Sequence, residues 1–348
     1  MSQLHLASLT RIADFDKNPY DVHPLNHVEW ENGDYALAEV TGTTSELYKV
    51  ELCNGDMVPV VPGDQVIGAL GHREATLEGV GSFSAVKSNK MHALTSAGLF
   101  GVFTSFSIML PRPLELVYRG HIVRDGQKLN MRDFRLRTKA RGFNVPTILI
   151  VGTSMSAGKS VAGRRACEIM STAGRRVIGA KLTGAGRFRD IASFKKHGAF
   201  EVYDFVDAGL PSTVGPADEF RVAIRPLLAH INTRRADYLV AEAGASPLEP
   251  YNGDAAIEEL GDNIVCTILC ASDPYAVVGV NQGFPLEPDL VAGPAAQTTA
   301  AVELVRKLTG LPAINVIDRK TIPEFREFLE RRLNINLAPE QSISTNRS

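Results

Sequence analysis

Hydrophobic and polar positions alternate in two different ways along this chain. Over residues 34–134 apolar runs are short and are broken by turn signals. Residues 35–40 alternate, and 48–52 follow as a second run. Asn54-Gly55-Asp56 precedes a run at 57–61, and Pro62-Gly63-Asp64 precedes one at 65–69. Further runs occupy 100–108 and 114–123, the latter closed by Asp125-Gly126. Apolar runs separated by Asn-Gly and Pro-Gly-Asp predict hairpins. Several such strands with short loops predict a small barrel or sandwich. The Gly- and Ser-rich stretch 74–90 reads as a mobile loop.

After Asn144 apolar runs of strand length alternate with helical periods. The strands are expected at 147–151, 177–181, 238–242, 264–270, 290–292 and 313–317. The helices are expected at 159–173, 216–232, 297–309 and 322–333. Strands that are apolar throughout, with helices between them, imply a parallel sheet covered on both faces, an α/β fold. The expected organisation is therefore a β-rich domain over 1–140, which caps a substrate or mediates oligomerisation. A nucleotide-binding α/β domain over 141–335 and a polar tail over 336–348 follow, the last ten residues frayed. The basic run 133–143 marks the junction as a solvated segment.

Composition narrows the field. At ~150 residues per domain, 348 residues make roughly two domains. With 44% hydrophobic and 22% charged residues the chain is not wholly disordered. Lys plus Arg total 37 against 39 Asp plus Glu, so a net charge of −2 exerts no global pull on nucleic acid or anionic lipid. No apolar run approaches the ~18 residues of a membrane span. Met1-Ser2-Gln3-Leu4-His5 lacks a basic region before an apolar core, so a cytoplasmic protein is expected. The four cysteines are too scattered for a disulfide framework. Cys266 and Cys270 would stand ~13 Å apart on a strand, which suits core packing and not a shared metal.

The strongest chemical signal is Gly152-Thr153-Ser154-Met155-Ser156-Ala157-Gly158-Lys159-Ser160, with Val161 continuing into a helix. It follows a buried-type strand, the context a phosphate loop requires. Successive backbone N–H groups wrap an anion and the helix N-terminus adds partial positive charge. Lys159 reaches the terminal phosphates, and the Ser160 hydroxyl is a ligand for Mg²⁺. In the usual spacing a glycine stands where Thr153 does; here the glycine comes one place earlier.

Mg²⁺ on a nucleotide takes few protein oxygens. Glu242, ending an apolar strand, is the expected carboxylate, and Asp204 and Asp207 are further candidates. Lys181-Leu-Thr-Gly-Ala-Gly-Arg-Phe-Arg-Asp190 leaves the second strand on the ligand edge of the sheet. Lys181 would stabilise charge that develops in phosphoryl transfer, and Arg187 or Arg189 would grip a carboxylate or phosphoryl group. The turn at Gly293-Pro294 would frame the base. The chain has no Asn-Lys-x-Asp guanine pattern, which favours ATP.

The arrangement Gly-Thr, four residues, Gly-Lys-Ser resembles dethiobiotin synthetase and its relatives, a branch of P-loop NTPases. Lys181 matches a lysine those enzymes carry near the transferred groups, and Glu242-Ala243-Gly244-Ala245 matches their Glu-Gly-Ala-Gly strand end. The run Tyr203-Asp-Phe-Val-Asp-Ala-Gly209 with the strand ending in Glu242 is similar to a P-loop family that includes proposed D-glutamate N-acetyltransferases. That family's N-terminal part is Rossmann-like, whereas this one reads as β-rich. The resemblances cover roughly residues 145–320 and imply fold and nucleotide site. Relatives in this branch are often dimers, so a homo-oligomer is expected.

The leading expectation is an ATP- and Mg²⁺-dependent kinase or carboxylate-activating ligase acting on a small anionic metabolite, with neither nucleic acid nor membrane as partner. The alternatives are an acyl-CoA-dependent N-acyltransferase holding the CoA diphosphate in the same loop, and a nucleotide-dependent switch or metallochaperone.

Overall fold

A computed structural model describes residues 2–42, 49–244, 246–285 and 287–338. The frayed end expected at 339–348 and Ala245 of the Glu-Ala-Gly-Ala run lie outside the described residues.

The N-terminal domain is built on a closed barrel. Its strands are Gln65–Leu70, Tyr35–Val40, Glu115–Arg124, Lys90–Thr95 and Leu99–Phe106, antiparallel neighbours in that order. Leu99 pairs with Ala69 and Phe100 with Leu70 in parallel, which shuts the ring. Closure leaves the ring itself no open edge. Of the two predicted alternatives, barrel and sandwich, the chain forms the barrel.

Residues on both faces of these strands enter buried clusters. Ala36, Ala38 and Val40 join one cluster with Val66, Met91, Phe100 and Leu116. Tyr35 and Leu37, on the opposite face, join Ile67, Ala69 and residues of the second domain. Within the run expected at 48–52 the strand is Lys49–Glu51, and Tyr48 lies outside the described residues. The stretch 74–90 is not a loop throughout. His72–Ala75 and Gly79–Ser82 pair as a hairpin, and Gly79–Ser82 adds to the barrel strand Leu99–Phe106. Its glycines are there because the strands lie so close: a Cβ on Gly81 would meet Leu94 Cδ2 at 2.6 Å.

From Arg135 the chain runs without regular structure to Thr147, the expected junction. The second domain is a parallel sheet of six strands: β1 (Thr147–Gly152), β2 (Val177–Thr183), β3 (Glu201–Asp204), β4 (Tyr238–Ala243), β5 (Ile264–Cys270) and β6 (Leu290–Ala292). Their order is β3-β2-β4-β1-β5-β6. The helices are α1 (Lys159–Thr172), α2 (Phe188–Lys196), α3 (Ala217–Thr233), α4 (Gly253–Leu260), α5 (Pro274–Gly283), α6 (Thr299–Thr309) and α7 (Ile322–Leu333).

The strand side chains alternate between two cores. Ile148 and Ile150 of β1 pack with Ala162, Met170 and Phe325, from α1 and α7. Leu149 and Val151 pack on the other face with Ile224 and Leu227 of α3. Cys266, Ile268 and Cys270 all point into the α1–α7 side. The chain leaves β1 toward β2 on one side and later crosses to β5 on the other. The crevice at this switch point lies beyond the carboxyl ends of β1, β2 and β4.

The expected strand at 313–317 does not form. Only Ala313 bridges, to Val291. Pro312 precedes it, and Asn315 folds the chain away: its side chain accepts from Ile317 N at 3.2 Å and its carbonyl from Thr321 Oγ1 at 2.5 Å.

Candidate functional site

The loop leaving β1 is tied down at its start. Thr153 N donates to Cys270 O at 3.0 Å, and Thr153 Oγ1 accepts from Ser272 N at 3.1 Å. The early glycine has a steric reason. A Cβ on Gly152 would stand 2.8 Å from Lys159 Nζ and 2.9 Å from its Cδ, so only glycine lets this lysine fold back over the strand end. Gly158, at φ 90°, turns the chain into α1.

Lys159 is 2% exposed, and its Nζ donates to Ser154 O at 2.5 Å and Met155 O at 3.5 Å. Burial depresses its pKa, with Glu242 opposing. Ser160 Oγ donates to Glu242 Oε2 at 3.0 Å. Glu242 ends β4 directly beside the loop, and burial raises its pKa while Lys181 counters. A buried carboxylate and a hydroxyl 3.0 Å apart form a hard-oxygen pair, the donor chemistry Mg²⁺ takes. The residues present therefore fit the ion.

Lys181, near the end of β2, donates to Asp190 Oδ2 at 2.7 Å. Burial works against its charge, but Asp190 and then Glu242 outweigh it and raise its pKa. Thus Lys159, Ser160, Lys181 and Glu242 line one cleft of about 540 Å³ together with Met155, Ser156 and Gly158 of the loop.

The far wall of that cleft is the barrel. The hairpin Arg73 and Glu78 pair with each other, and Ser156 Oγ donates to Glu78 Oε1 at 3.4 Å. Nearby, Tyr251 Oη accepts from Glu74 N at 2.9 Å, fixing the hairpin to the second domain.

Other predicted residues fall in different places. Arg187 lines the cleft, while Arg189 is not among the lining residues. The Arg189 and Phe188 backbone N–H groups donate to Glu51 at 3.2 and 2.6 Å, so a carboxylate of the N-terminal domain occupies the N-terminus of α2. Asp204 and Asp207, expected near the metal, instead hold Arg11 of the N-terminal domain. Arg11 Nη2 lies 2.6 Å from Asp204 and 3.0 Å from Asp207. Neither carboxylate lines the cleft. Gly293 and Pro294 pack on the back of the loop. A Cβ on Gly293 would meet Ala157 O at 2.3 Å, and Gly158 approaches Gly293 Cα.

Sequence reasoning missed Asp190, Glu51, Arg73 and Glu78. Asp190 ended the very run that supplied Lys181 and Arg187, and an acid two places into a helix behind a cationic loop was the available signal. The last three, all in the N-terminal domain, carry no local motif, and Glu78 meets the loop and Glu51 meets α2 only through domain packing.

Neither a protein-family model nor a curated protein matches this chain. Among solved structures it is similar to HypB from Helicobacter pylori in complex with nickel, at 15% identity and a TM-score of 0.36, over 56% of this chain and 90% of that one. It is also similar to chloroplast FtsY from Physcomitrella patens, at 12% identity and a TM-score of 0.37, over 57% of this chain and 70% of that one. The chain's own parallel sheet, its loop between β1 and α1, and the Lys159–Ser160–Glu242 set have the strand–loop–helix layout that a phosphate loop requires.

Proposed function

We propose that this protein binds a Mg²⁺–nucleoside triphosphate in the loop and transfers its terminal phosphoryl group to a small carboxylate held between the domains. The observation that carries the reading is the Ser160–Glu242 pair at the root of the loop, beside buried Lys159, in a cleft walled by a second domain.

The loop N–H groups would hold the phosphate oxygens, and Lys159 would exchange its carbonyl partners for them. Ser160 and Glu242 would hold Mg²⁺, which supplies charge neutralisation of the phosphates when bound. Lys181, with Arg187 beside it, would receive the acceptor's anionic group. A carboxylate acceptor is already deprotonated, so no base is needed before attack. Its oxygen forms the new bond to the γ-phosphorus, the bond to the β–γ bridging oxygen breaks, and the diphosphate leaves with that electron pair.

A second reading is favoured by one contact. Ser156 of the loop reaches Glu78 of the barrel hairpin, so loop occupancy can be felt by the other domain. In that reading the protein is a nucleotide-dependent switch or metallochaperone and turnover is incidental.

Thermal melts with Mg²⁺-ATP, Mg²⁺-GTP and acetyl-CoA test both. A ligand at ~100 times its dissociation constant adds about 2.7 kcal/mol. At ~2.1 cal/mol/K of unfolding entropy per residue, that raises the melting temperature by about 4 °C. The expected result is a shift with a Mg²⁺-nucleotide that Lys159→Ala abolishes, followed by carboxylate-dependent release of the nucleoside diphosphate. A shift with acetyl-CoA alone would replace this reading by acyl transfer. A nucleotide shift without any acceptor-dependent turnover would favour the switch.

A further inference from the structure

The cleft has two chemically unlike halves. One is the loop with its cations and Glu242. The other is the barrel side, where Phe103, Phe106, Leu110, Pro111 and Pro113 form an apolar patch beside the polar Arg73, Glu78 and Arg112. Phe103 and Phe106 meet edge to face with centroids 4.7 Å apart, and both are half-buried, so each presents ring surface to the cleft. A polyphosphate has no use for such a patch, since desolvating its oxygens against phenylalanine is costly. Ligand pockets of ~300–1,000 Å³ are lined mainly by apolar side chains with a few polar groups that fix orientation. At about 540 Å³ this cleft is of that size, and its apolar patch is one part of a mixed lining.

The charges say which end of a second ligand goes where. The cleft's three carboxylates are engaged: Glu242 with Ser160, Asp190 with Lys181, and Glu78 with Arg73. Arg187 and Arg112 line the same space, are exposed, and make no ion pair among the described residues. Arg187 lies close enough to Lys181 and Asp190 for its charge to oppose the first and favour the ionised form of the second. An anionic head has its place beside Lys181 and Arg187, and the phenylalanine pair lines the same cleft and offers a surface to whatever the head carries.

We infer that the barrel's apolar patch is a specificity subsite for the apolar body of a monocarboxylic acid, so the acceptor is an alkyl or aryl carboxylate and not a short polar diacid. This deepens the phosphoryl-transfer reading and rests on it for the position of the head group.

The test is calorimetric titration of the full chain with acetate, butyrate, hexanoate, 3-phenylpropionate and succinate, each with and without Mg²⁺ and a non-hydrolysable ATP analogue. One buried methylene corresponds to about a fourfold gain in affinity, so the expected order rises from acetate to hexanoate and 3-phenylpropionate, with succinate below butyrate. Phe103→Ala and Phe106→Ala should flatten that rise to under about twofold per methylene while the nucleotide analogue still binds. Arg187→Gln should weaken all the acids by a similar factor. A flat series, or succinate as the best ligand, overturns the inference even if the nucleotide binds. A rising series without any nucleotide binding upholds the subsite and overturns the phosphoryl-transfer reading instead. Should either phenylalanine variant fail to fold, the wild-type series still decides.

Discussion

A Cβ added at Gly244 would stand 2.0 Å from Thr183 O and 2.8 Å from Lys181 Cε. The first contact is backbone and cannot swing aside. Gly244 N also donates to Thr183 O at 3.0 Å, locking the end of β4 to the end of β2. These are the two strands that carry Glu242 and Lys181. Gly244→Ala must therefore part them, and overpacking of this kind costs about 1–3 kcal/mol. The expected outcome is a lower melting temperature together with a weaker nucleotide-induced shift, read in one pair of melts with and without Mg²⁺-nucleotide. A variant that melts lower yet keeps the full nucleotide shift would show that the strand ends move without disturbing the site. At this scale the sequence was most informative where chemistry is local. The loop residues 152–160 could be read directly because each acts within a few positions of its neighbours. Asp204 and Asp207 misled because a strand-end acid looks the same whether it faces a metal or an arginine. Arg11, which holds both, lies 193 positions before Asp204.

Among the elements, α2 depends on a side chain from the other domain. It has nine residues, too few to be stable alone. Glu51, fully buried in the barrel domain, accepts from its first two N–H groups and also from Ser8 Oγ at 2.5 Å. The helix in turn presents Asp190 to Lys181. Glu51→Ala leaves those donors without a partner, for a loss of about 2–3 kcal/mol. Glu51→Gln retains an acceptor but not the charge that complements the helix dipole, so its loss is smaller, about 1 kcal/mol. Chemical denaturation of the two variants checks the order, and equal losses would argue against a role for the charge. The same helix shows why some elements escaped sequence reading. Its Arg-Asp and Lys-Lys pairs dilute the apolar face to Ile191 and Phe194. In α5 the run Ala276-Val277-Val278 favours a strand, and Asp273 overrides it by accepting from Tyr275 N and Ala276 N to start a helix. The long buried strands, by contrast, were legible because apolar residues at consecutive positions fit little else at that length. The barrel's closing pair, Leu99 with Ala69, joins strands by register and leaves no mark in either run.

The two domains share one buried core. Leu9, Phe15, Tyr35 and Ile67 on the barrel side are continuous with Leu149, Ala180 and Phe205 on the sheet side. At its edge lies Arg11, whose guanidinium sits 5.3 Å from the Phe188 ring centroid and pairs with Asp204 and Asp207. Burial opposes the charge of Arg11, and the two carboxylates outweigh it and raise its pKa. A cleft formed between domains keeps its shape only if the domains do not drift, and this joint supplies that constraint. Wild-type protein should therefore unfold in one calorimetric transition with matching calorimetric and van't Hoff enthalpies. Arg11→Met leaves Asp204, which is fully buried, without its counter-charge, and breaking a buried pair in this way costs about 3–5 kcal/mol. Removing the carboxylate as well, in Arg11→Met with Asp204→Leu, should recover part of that loss, because the stranded charge has gone. The recovery is the informative quantity. If the double variant is no more stable than Arg11→Met, the pair acts only through packing, and two separated transitions in the wild type would mean that the shared core does not couple the domains.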